Sequence, residues 1–250
     1  MLGFAALTEE FRKRVIRRRR NREGLASAST SPMQNQINRF HFIVDQRVLI
    51  ESRNGSVAAM LFSDCAFLHA GTPLATALLA REIMRDCVKK QVPVRMGIGR
   101  GTFYPLMLST ECNGSVLVSR SRFIGTAVVY AHAAEQCGGK GMRIFVHPSA
   151  APRLQAIKTR IRVLPLLKPY KTATCELDYL YEETPVLAQI SADASDSKLF
   201  EATLQMKDQI ESLKIRKQYT ETLKALNRMR SANGRRAVNI RPKRRRPTST

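Results

Sequence analysis

The residue best placed for chemistry is Asp64, which lies within the apolar run VAAMLFSDCAFLHA at residues 57–70. Two short apolar runs that meet at a polar pair are typical of two strands joined by a tight turn. A carboxylate between two core strands needs hydrogen bonds, a cation or a metal ion, because burying it without a partner is costly or moves its pKa. The pattern leaves two roles open for Asp64: it closes a turn by accepting backbone N–H groups, or it binds a metal ion.

The other reactive residue types form no recognisable site. The four histidines and five cysteines show no metal-ligand spacing, and the cysteines are odd in number and never arranged as C-x-x-C. This argues against a zinc site and against a secreted disulfide framework. The glycines of GIGRG at residues 97–101 follow a predicted strand, but the residues after them do not start a helix, so a dinucleotide-binding loop is not predicted.

The net charge of +22 is concentrated in two segments of the 250-residue chain, with eight basic residues at 12–22 and seven at 235–246. Such runs attract phosphate-rich polymers, and they also fit a solvated helix face and a disordered tail. No apolar run approaches the roughly 20 residues of a membrane span, and the N-terminus lacks the order of a secretory signal. A cytoplasmic protein with no membrane span is expected.

Strands and helices alternate along the chain, and this pattern predicts an α+β fold with helices packed on a sheet. The hairpin at residues 57–70 is followed by a helix with Thr72 as N-cap and Pro73 at its first position. A polar stretch at residues 109–114 is predicted to be a loop. The remaining predicted helices are 7–16, 34–50, 125–138 and 149–157, and the remaining predicted strands are 94–98, 115–119, 142–146, 161–164 and 175–181.

The composition changes near residue 185 and divides the chain into three predicted parts. Residues 1–185 form the α/β domain, residues 186–234 a linker and a long amphipathic helix over 197–232, and residues 235–250 a basic disordered tail. The tail is too polar and too interrupted by proline to fold alone. The long helix either packs on its own domain or dimerises with a second copy.

Four segments, in order over residues 1–182, resemble the catalytic domain of the class III nucleotidyl cyclases, the adenylate and guanylate cyclases. FSDCAFLHA resembles the hairpin that carries the second metal-binding aspartate, and VRMGIGRG resembles the strand R-x-G-I-x-x-G. GTAVVYAHAAEQCGGKGMRIFVHPS resembles the helix, glycine turn and strand that follow, and MLGFAALTEEF resembles D-x-x-G-F-x-x-L after its aspartate. The resemblance implies a ferredoxin-like sheet with helices on one face, and a head-to-tail homodimer that binds a nucleoside triphosphate between its subunits.

The chemistry of that family requires two divalent ions, Mg²⁺ or Mn²⁺, which activate a ribose hydroxyl and neutralise the leaving pyrophosphate. Asp64 matches the second metal-binding aspartate, while the first would immediately precede Met1. An asparagine and an arginine that steady the transition state correspond here to Val129 and Ala133, which have no polar side chain. Loss of such donors typically costs about a hundredfold or more per group.

The same resemblance assigns nucleotide binding to five positions. It also leaves open which residues could replace the two missing hydrogen-bond donors. The purine-selecting lysine of the family falls near Met60, and the aspartate that contacts the base falls near Arg122. Arg122 and His132 are candidate catalytic substitutes, with Arg120 a further one. The nucleotide-binding positions that the resemblance implies are Ser63, Asp64, Arg120, Arg122 and Thr126.

These observations favour a catalytically degenerate cyclase-like domain, a pseudoenzyme that binds nucleotide or acts through dimerisation. One alternative is an active, divergent Mg- or Mn-dependent nucleotidyl cyclase, a phosphorus–oxygen lyase. An alternative from another class is a nucleic-acid-binding protein that uses the basic residues 17–20 and 244–246; its binding would fall steeply with ionic strength.

The resemblance also implies that the first strand of the family, in the centre of its sheet, would lie before Met1. Without that strand, the neighbouring strands would expose unpaired backbone groups. We therefore expect either that Met1 is an internal methionine of a longer chain or that the chain is a decayed copy.

Overall fold

The structure is a computed structural model, and it describes residues 32–53, 57–62, 64–112, 115–157, 159–182, 189–210 and 212–238. The predicted helix at residues 7–16 and most of the basic tail lie outside these residues. The helices are α1 Pro32–Ser52, α2 Pro73–Lys89, α3 Thr126–Glu135, α4 Ala151–Gln155, α5 Gln189–Asp208 and α6 Leu213–Ala232. The strands are β1 Val57–Leu61, β2 Ala66–Ala70, β3 Met96–Ile98, β4 Tyr104–Cys112, β5 Ser115–Ile124, β6 Ile144–Val146, β7 Val163–Pro165 and β8 Cys175–Leu177.

The strands form three small sheets among many helices, which confirms the α+β class. The largest sheet has the order β3-β6-β8-β7, in which β3 and β6 are parallel and the other neighbours are antiparallel. The strands β1 and β2 form a separate antiparallel hairpin, and β4 and β5 form another. In the described residues β3 therefore pairs on one side only, as does β2.

Helix α2 lies at the centre of the hydrophobic core. Its start follows the prediction, since Thr72 caps it by accepting a hydrogen bond from Ala75 N at 3.1 Å. Its buried face, which includes Ile83 and Met84, packs in one cluster with α1, β6 and the C-terminal helices. Burial of a long apolar side chain contributes about 1.5–3 kcal/mol, so this shared cluster supplies most of the stability.

Helix α3 packs directly on β3, and glycines make this approach possible. A Cβ atom at Gly97 would lie 1.9 Å from Ala131 O, and one at Gly99 would lie 2.5 Å from Ala131 N. Both distances are far inside van der Waals contact, so any larger residue would push the helix away. The two glycines therefore set the position of α3 against the sheet.

The C-terminal region contains two helices where the sequence predicts one over residues 197–232. Helix α5 ends at Asp208 and α6 begins at Leu213, and the two pack on each other. The turn lets Leu199 and Leu226 both reach the main core, which a single continuous helix would not allow. Of the two interpretations of this region, the one in which it packs on its own domain agrees with that core. The predicted boundaries at residues 185 and 234 stay predictions.

The polar stretch at residues 109–114, predicted to be a loop, belongs largely to the β4–β5 hairpin. Residues 104–112 pair with 115–124 in antiparallel register, from Tyr104 opposite Ile124 to Cys112 opposite Ser115. The loop prediction was wrong because pairing with a neighbouring strand decides strand formation more strongly than polarity does. The strand predicted at residues 115–119 is correspondingly longer and reaches Ile124.

A buried ionic cluster joins α6 to the four-stranded sheet. Glu176, on β8, is fully buried and forms ion pairs with Arg143 and with Arg228 of α6. Burial and the neighbouring Arg143 lower the pKa of Arg228 to about 10. One carboxylate thus holds two guanidinium groups beneath α6.

A second buried acid, Asp178, makes the stability depend on pH. Its carboxylate accepts hydrogen bonds from Leu180 N at 2.9 Å and Asn233 Nδ2 at 2.9 Å, yet burial raises its pKa to about 6. A raised folded-state pKa means that its stabilising contribution is complete below the unfolded pKa of about 4 and is lost as the pH rises through about 6.

We expect the free energy of unfolding to fall by about 2–3 kcal/mol between pH 4 and pH 6 because of Asp178, and to be flat above that window. Urea unfolding at a series of pH values measures this. In Asp178→Asn the slope in that window should become smaller, and Asp196, whose pKa burial also raises, should account for part of what remains. An unchanged slope in the variant would assign the pH dependence to other groups.

Candidate functional site

Asp64 lies in the turn of the β1–β2 hairpin, where the sequence places it. Phe62 N donates a hydrogen bond to Cys65 O at 2.8 Å and closes this turn. The side chain of Asp64 is half-buried, while Ser63 lies outside the described residues. The hairpin therefore carries a carboxylate at its tip.

A cavity of about 640 Å³ lies between β2 and β3. Helices α1, α2 and α4 contribute apolar side chains to the wall of this cavity. Helix α3, which packs on β3, contributes further residues to it. Its volume lies within the range of small-molecule pockets in proteins. Residues of each element that line it include Phe40 and Val44 of α1, Leu79 and Ile83 of α2, Ala66 and Leu68 of β2, Gly97 and Ile98 of β3, Ala131 and His132 of α3 and Leu154 of α4.

At the Asp64 end of this cavity lies a second carboxylate, Glu135, which is paired. Arg95 Nη2 lies 2.6 Å from Glu135 Oε1, and Arg95 Nη1 donates to Gly139 O at 2.9 Å. Burial raises the pKa of the Cys65 thiol, and the negative charges of Asp64 and Glu135 raise it further. Glu135 is therefore close to Cys65 but already neutralised by Arg95.

The far end of the cavity has a different character. His69, near the end of β2, stacks on Phe103 with ring centroids 4.5 Å apart. Thr126 lies in the same region, where its Oγ1 accepts a hydrogen bond from Thr102 N at 3.0 Å, and Thr126 N donates to Thr102 Oγ1 at 3.2 Å. Thr126 and Asp64, both predicted to bind nucleotide, thus lie at opposite ends of β2.

The remaining predicted site residues are placed less closely together. His132 is exposed on α3 and lines the cavity, as Asp64 does. Arg120 and Arg122 lie on β5, opposite Leu108 and Leu106 respectively, and their side chains are outside the described part of the structure. The structure therefore brings Asp64 and His132 to one cavity, whereas Thr126 is not among the residues that line it.

The two positions that the resemblance matches to transition-state donors, Val129 and Ala133, both lie on α3. Val129 is 63% exposed on α3, and Ala133 lies one turn further along the same helix. Neither side chain has an atom that donates a hydrogen bond.

Asp64 fits a divalent ion only as one ligand among several. Within the described residues, no three His, Cys, Asp or Glu side chains are grouped as they would be around a metal ion. Mg²⁺ commonly binds through one or two carboxylates together with substrate phosphates and water. Asp64 therefore suits an ion that arrives with a phosphate group, rather than a site made by protein alone.

Sequence reasoning missed the role of the glycines in GIGRG and of Arg95. The sequence signal was present, since Gly97, Gly99 and Gly101 recur at every second position from β3 onward, and a Cβ atom at each of them would meet α3. An alternating glycine face predicts close approach of another backbone rather than a phosphate loop.

Comparisons with known proteins do not assign the chain to a family. No family model matches it, and no curated protein is significantly similar to it. None of the helices in the described residues is long and apolar enough to cross a membrane. Any functional assignment therefore depends on the residues of the cavity and the hairpin.

Proposed function

We propose that the chain is a nucleotidyl cyclase-like domain with a ferredoxin-like ancestry, one that binds a nucleoside triphosphate with Mg²⁺ or Mn²⁺ and does not cyclise it. The observation that supports this best is the position of Asp64, a half-buried carboxylate at the tip of a two-stranded hairpin and at the end of a cavity. A divalent ion bound there would neutralise phosphate oxygens, because hard cations take oxygen ligands.

The proposed lack of catalysis follows from α3. The side chains at Val129 and Ala133 cannot donate hydrogen bonds to a developing charge, and each missing donor costs about a hundredfold or more in rate. His132 lies on the same helix, but its ring is exposed to solvent. The nucleotide would be bound without the groups that stabilise its transition state.

The proposed homodimer is supported by exposed apolar side chains near α3. Tyr104 and Ile124 are directly opposite each other on β4 and β5, and each is 57% exposed. Val129 lies nearby in the chain and is also exposed. Neighbouring exposed apolar side chains of this size often mark an interaction surface.

Nucleotide binding by the full chain tests the proposal. We expect fluorescent ATP or GTP analogues to bind in the presence of Mn²⁺, and Asp64→Asn to weaken binding at least tenfold without changing the unfolding midpoint. The matched control is Asp45→Asn, an exposed carboxylate on α1, which should bind as the unmodified chain does.

The same samples are assayed for cyclic product with each of the four nucleoside triphosphates. Binding without product supports the proposal. Product that disappears in Asp64→Asn would instead establish an active, divergent cyclase, and no binding by the folded chain at millimolar nucleotide would refute nucleotide recognition altogether.

A further inference from the structure

More than half of the net positive charge belongs to α6 and the residues that follow it. Residues 213–250 contain 13 Lys and Arg and a single acidic residue, Glu221. They supply a net +12 of the total +22. A charge excess of this size attracts polyanions, so the arrangement of its described residues is of interest.

The two faces of α6 have different surroundings. Its apolar face is buried, with Leu223 at 1% exposed and Leu226 and Met229 at 0%. Lys217 and Lys224 are exposed, and their spacing of two helical turns places them on one side of the helix. The distance from Lys217 to the end of α6 is about 22 Å at 1.5 Å per residue. The helix thus presents basic side chains to solvent while its other face is fixed to the core.

One acidic side chain lies on this exposed face of α6. Lys224 Nζ lies 2.9 Å from Glu221 Oε1, and the lysine side chain is 62% exposed. An exposed ion pair of this kind contributes under about 1 kcal/mol, so it does not prevent Lys224 from contacting a phosphate group.

The chain turns back after α6, and Asn227 fixes its position. Asn227 Nδ2 donates a hydrogen bond to Val238 O at 3.0 Å, and Val238 N donates to Asn227 Oδ1 at 2.8 Å. One side-chain amide therefore binds both backbone groups of Val238, whose side chain also packs against the main core. Position 238 lies beside Asn227, which is about one turn of helix from Lys224.

Two further contacts hold the residues between α6 and Val238. Arg230 Nε donates to Arg236 O at 2.9 Å, and Arg235 Nη1 donates to the buried Asp196 at 2.5 Å. The side chain of Arg236 is exposed. Arg162 donates to Ala232 O and adds another positive charge at the end of α6. Residues 235–238 are thus an anchored segment, and five more basic residues follow it within residues 241–246.

We propose that α6, the anchored segment 235–238 and the basic residues 241–246 bind the phosphate backbone of a double-stranded nucleic acid without reading its bases. Residues 228–246 contain eight Arg and one Lys, and the guanidinium group donates paired hydrogen bonds to phosphate oxygens. The anchored segment reduces the conformational freedom that is lost on binding. This function goes beyond nucleotide binding, uses other elements of the fold and does not depend on it.

The described residues favour a duplex over a single strand and over a membrane. Tyr219 is the only aromatic residue in the sequence 213–250, and it is 4% exposed, so this region offers no surface on which unpaired bases could stack. A helix that lies on a lipid surface inserts its apolar face, and the apolar face of α6 is already buried in the core.

Fluorescence anisotropy with the full chain tests the proposal. The probes are labelled duplexes of about 20 base pairs, one of DNA and one of RNA with the same sequence, titrated at several salt concentrations. We expect binding at low salt and a slope of log K against log salt of about −4 or steeper, since each neutralised phosphate contributes about −0.9. The two duplexes identify which nucleic acid is preferred, and a second sequence should bind equally well. Absence of duplex binding at low salt refutes the proposal, as does tighter binding to a single strand or to phosphatidylserine vesicles.

Two triple variants with the same loss of charge assign the binding to this surface. Lys217, Lys224 and Arg236 are replaced by glutamine in one variant, and the exposed Arg39, Arg53 and Arg100 in the other. The first should make the salt slope shallower by about 3 and weaken binding more than tenfold, and the second should change the slope by less than about 1. If the basic residues 12–22 supplied the binding instead, the two variants would have equal effects, and the proposal would be wrong.

Asn227→Ala tests the anchored segment without changing the charge. It removes both hydrogen bonds to Val238, and we expect at least threefold weaker duplex binding at the same salt slope, with unchanged circular dichroism. Unchanged affinity in this variant would contradict a role of the anchored segment in binding.

Discussion

Replacement of Glu176 by alanine should lower the free energy of unfolding by about 3–5 kcal/mol, the cost of removing one partner from a buried ionic cluster. Glu176 is fully buried, and without it the guanidinium groups of Arg143 and Arg228 would face each other with no anion. Burial and the nearby positive charge of Arg143 already disfavour the charged form of Arg228, and its pKa is lowered for this reason. The loss should be larger than for any single surface ion pair.

Urea unfolding followed by circular dichroism measures this effect. Arg228→Met should cost less than Glu176→Ala, because Arg143 remains to neutralise the carboxylate and the methionine still packs under α6. Glu201→Ala, on an exposed part of α5, is the matched control and should change stability by less than about 0.5 kcal/mol. Equal losses of unfolding free energy in Glu176→Ala and Glu201→Ala would show that the buried ionic cluster does not stabilise the fold.

Replacement of Gly97 by alanine should be nearly as disruptive, although it adds only one methyl group. The new Cβ atom would lie 1.9 Å from Ala131 O and 2.6 Å from Glu135 N, both backbone atoms that cannot rotate away. Helix α3 must then move off β3, and we expect a loss of about 3 kcal/mol or more. The displacement would also change the cavity wall that α3 provides.

The control for this prediction is Gly71→Ala, because no atom lies within 4 Å of the position that its Cβ would occupy. Both variants make the same chemical change, so a difference in unfolding midpoint reports the steric clash alone. Gly71→Ala should be neutral or slightly stabilising, since alanine reduces the freedom of the unfolded chain. A small effect of both substitutions would mean that α3 does not pack closely on β3.

Local signals in the sequence predicted the elements that local chemistry specifies. Thr72 and Pro73 marked the start of α2, and the polar pair between apolar runs marked the hairpin that carries Asp64. The break between α5 and α6 was not predictable in this way, because the residues between them include neither Gly nor Pro. Packing of both helices on a shared core determines that turn, and the sequence pattern does not show it.

The candidate site was predictable only in part, for a similar reason. The position of Asp64 follows from its place between two strands, but its separation from Thr126 depends on how the hairpin lies against β3 and α3. The ion pair between Arg95 and Glu135 joins residues 40 positions apart and has no local signature. Contacts of this kind depend on the tertiary structure, and the hydrophobic periodicity of the sequence does not predict them.

The exposed thiol of Cys65 offers an attachment point for a spectroscopic label. Among the cysteines whose side chains are described, Cys87 and Cys175 are buried, Cys137 is intermediate, and Cys65 alone is exposed, beside Asp64 at the end of the cavity. Since the raised pKa of its thiol slows alkylation at neutral pH, labelling is best carried out in mildly alkaline buffer. An environment-sensitive dye attached at Cys65 would then report, in a single fluorescence titration, whether nucleotide reaches that end of the cavity.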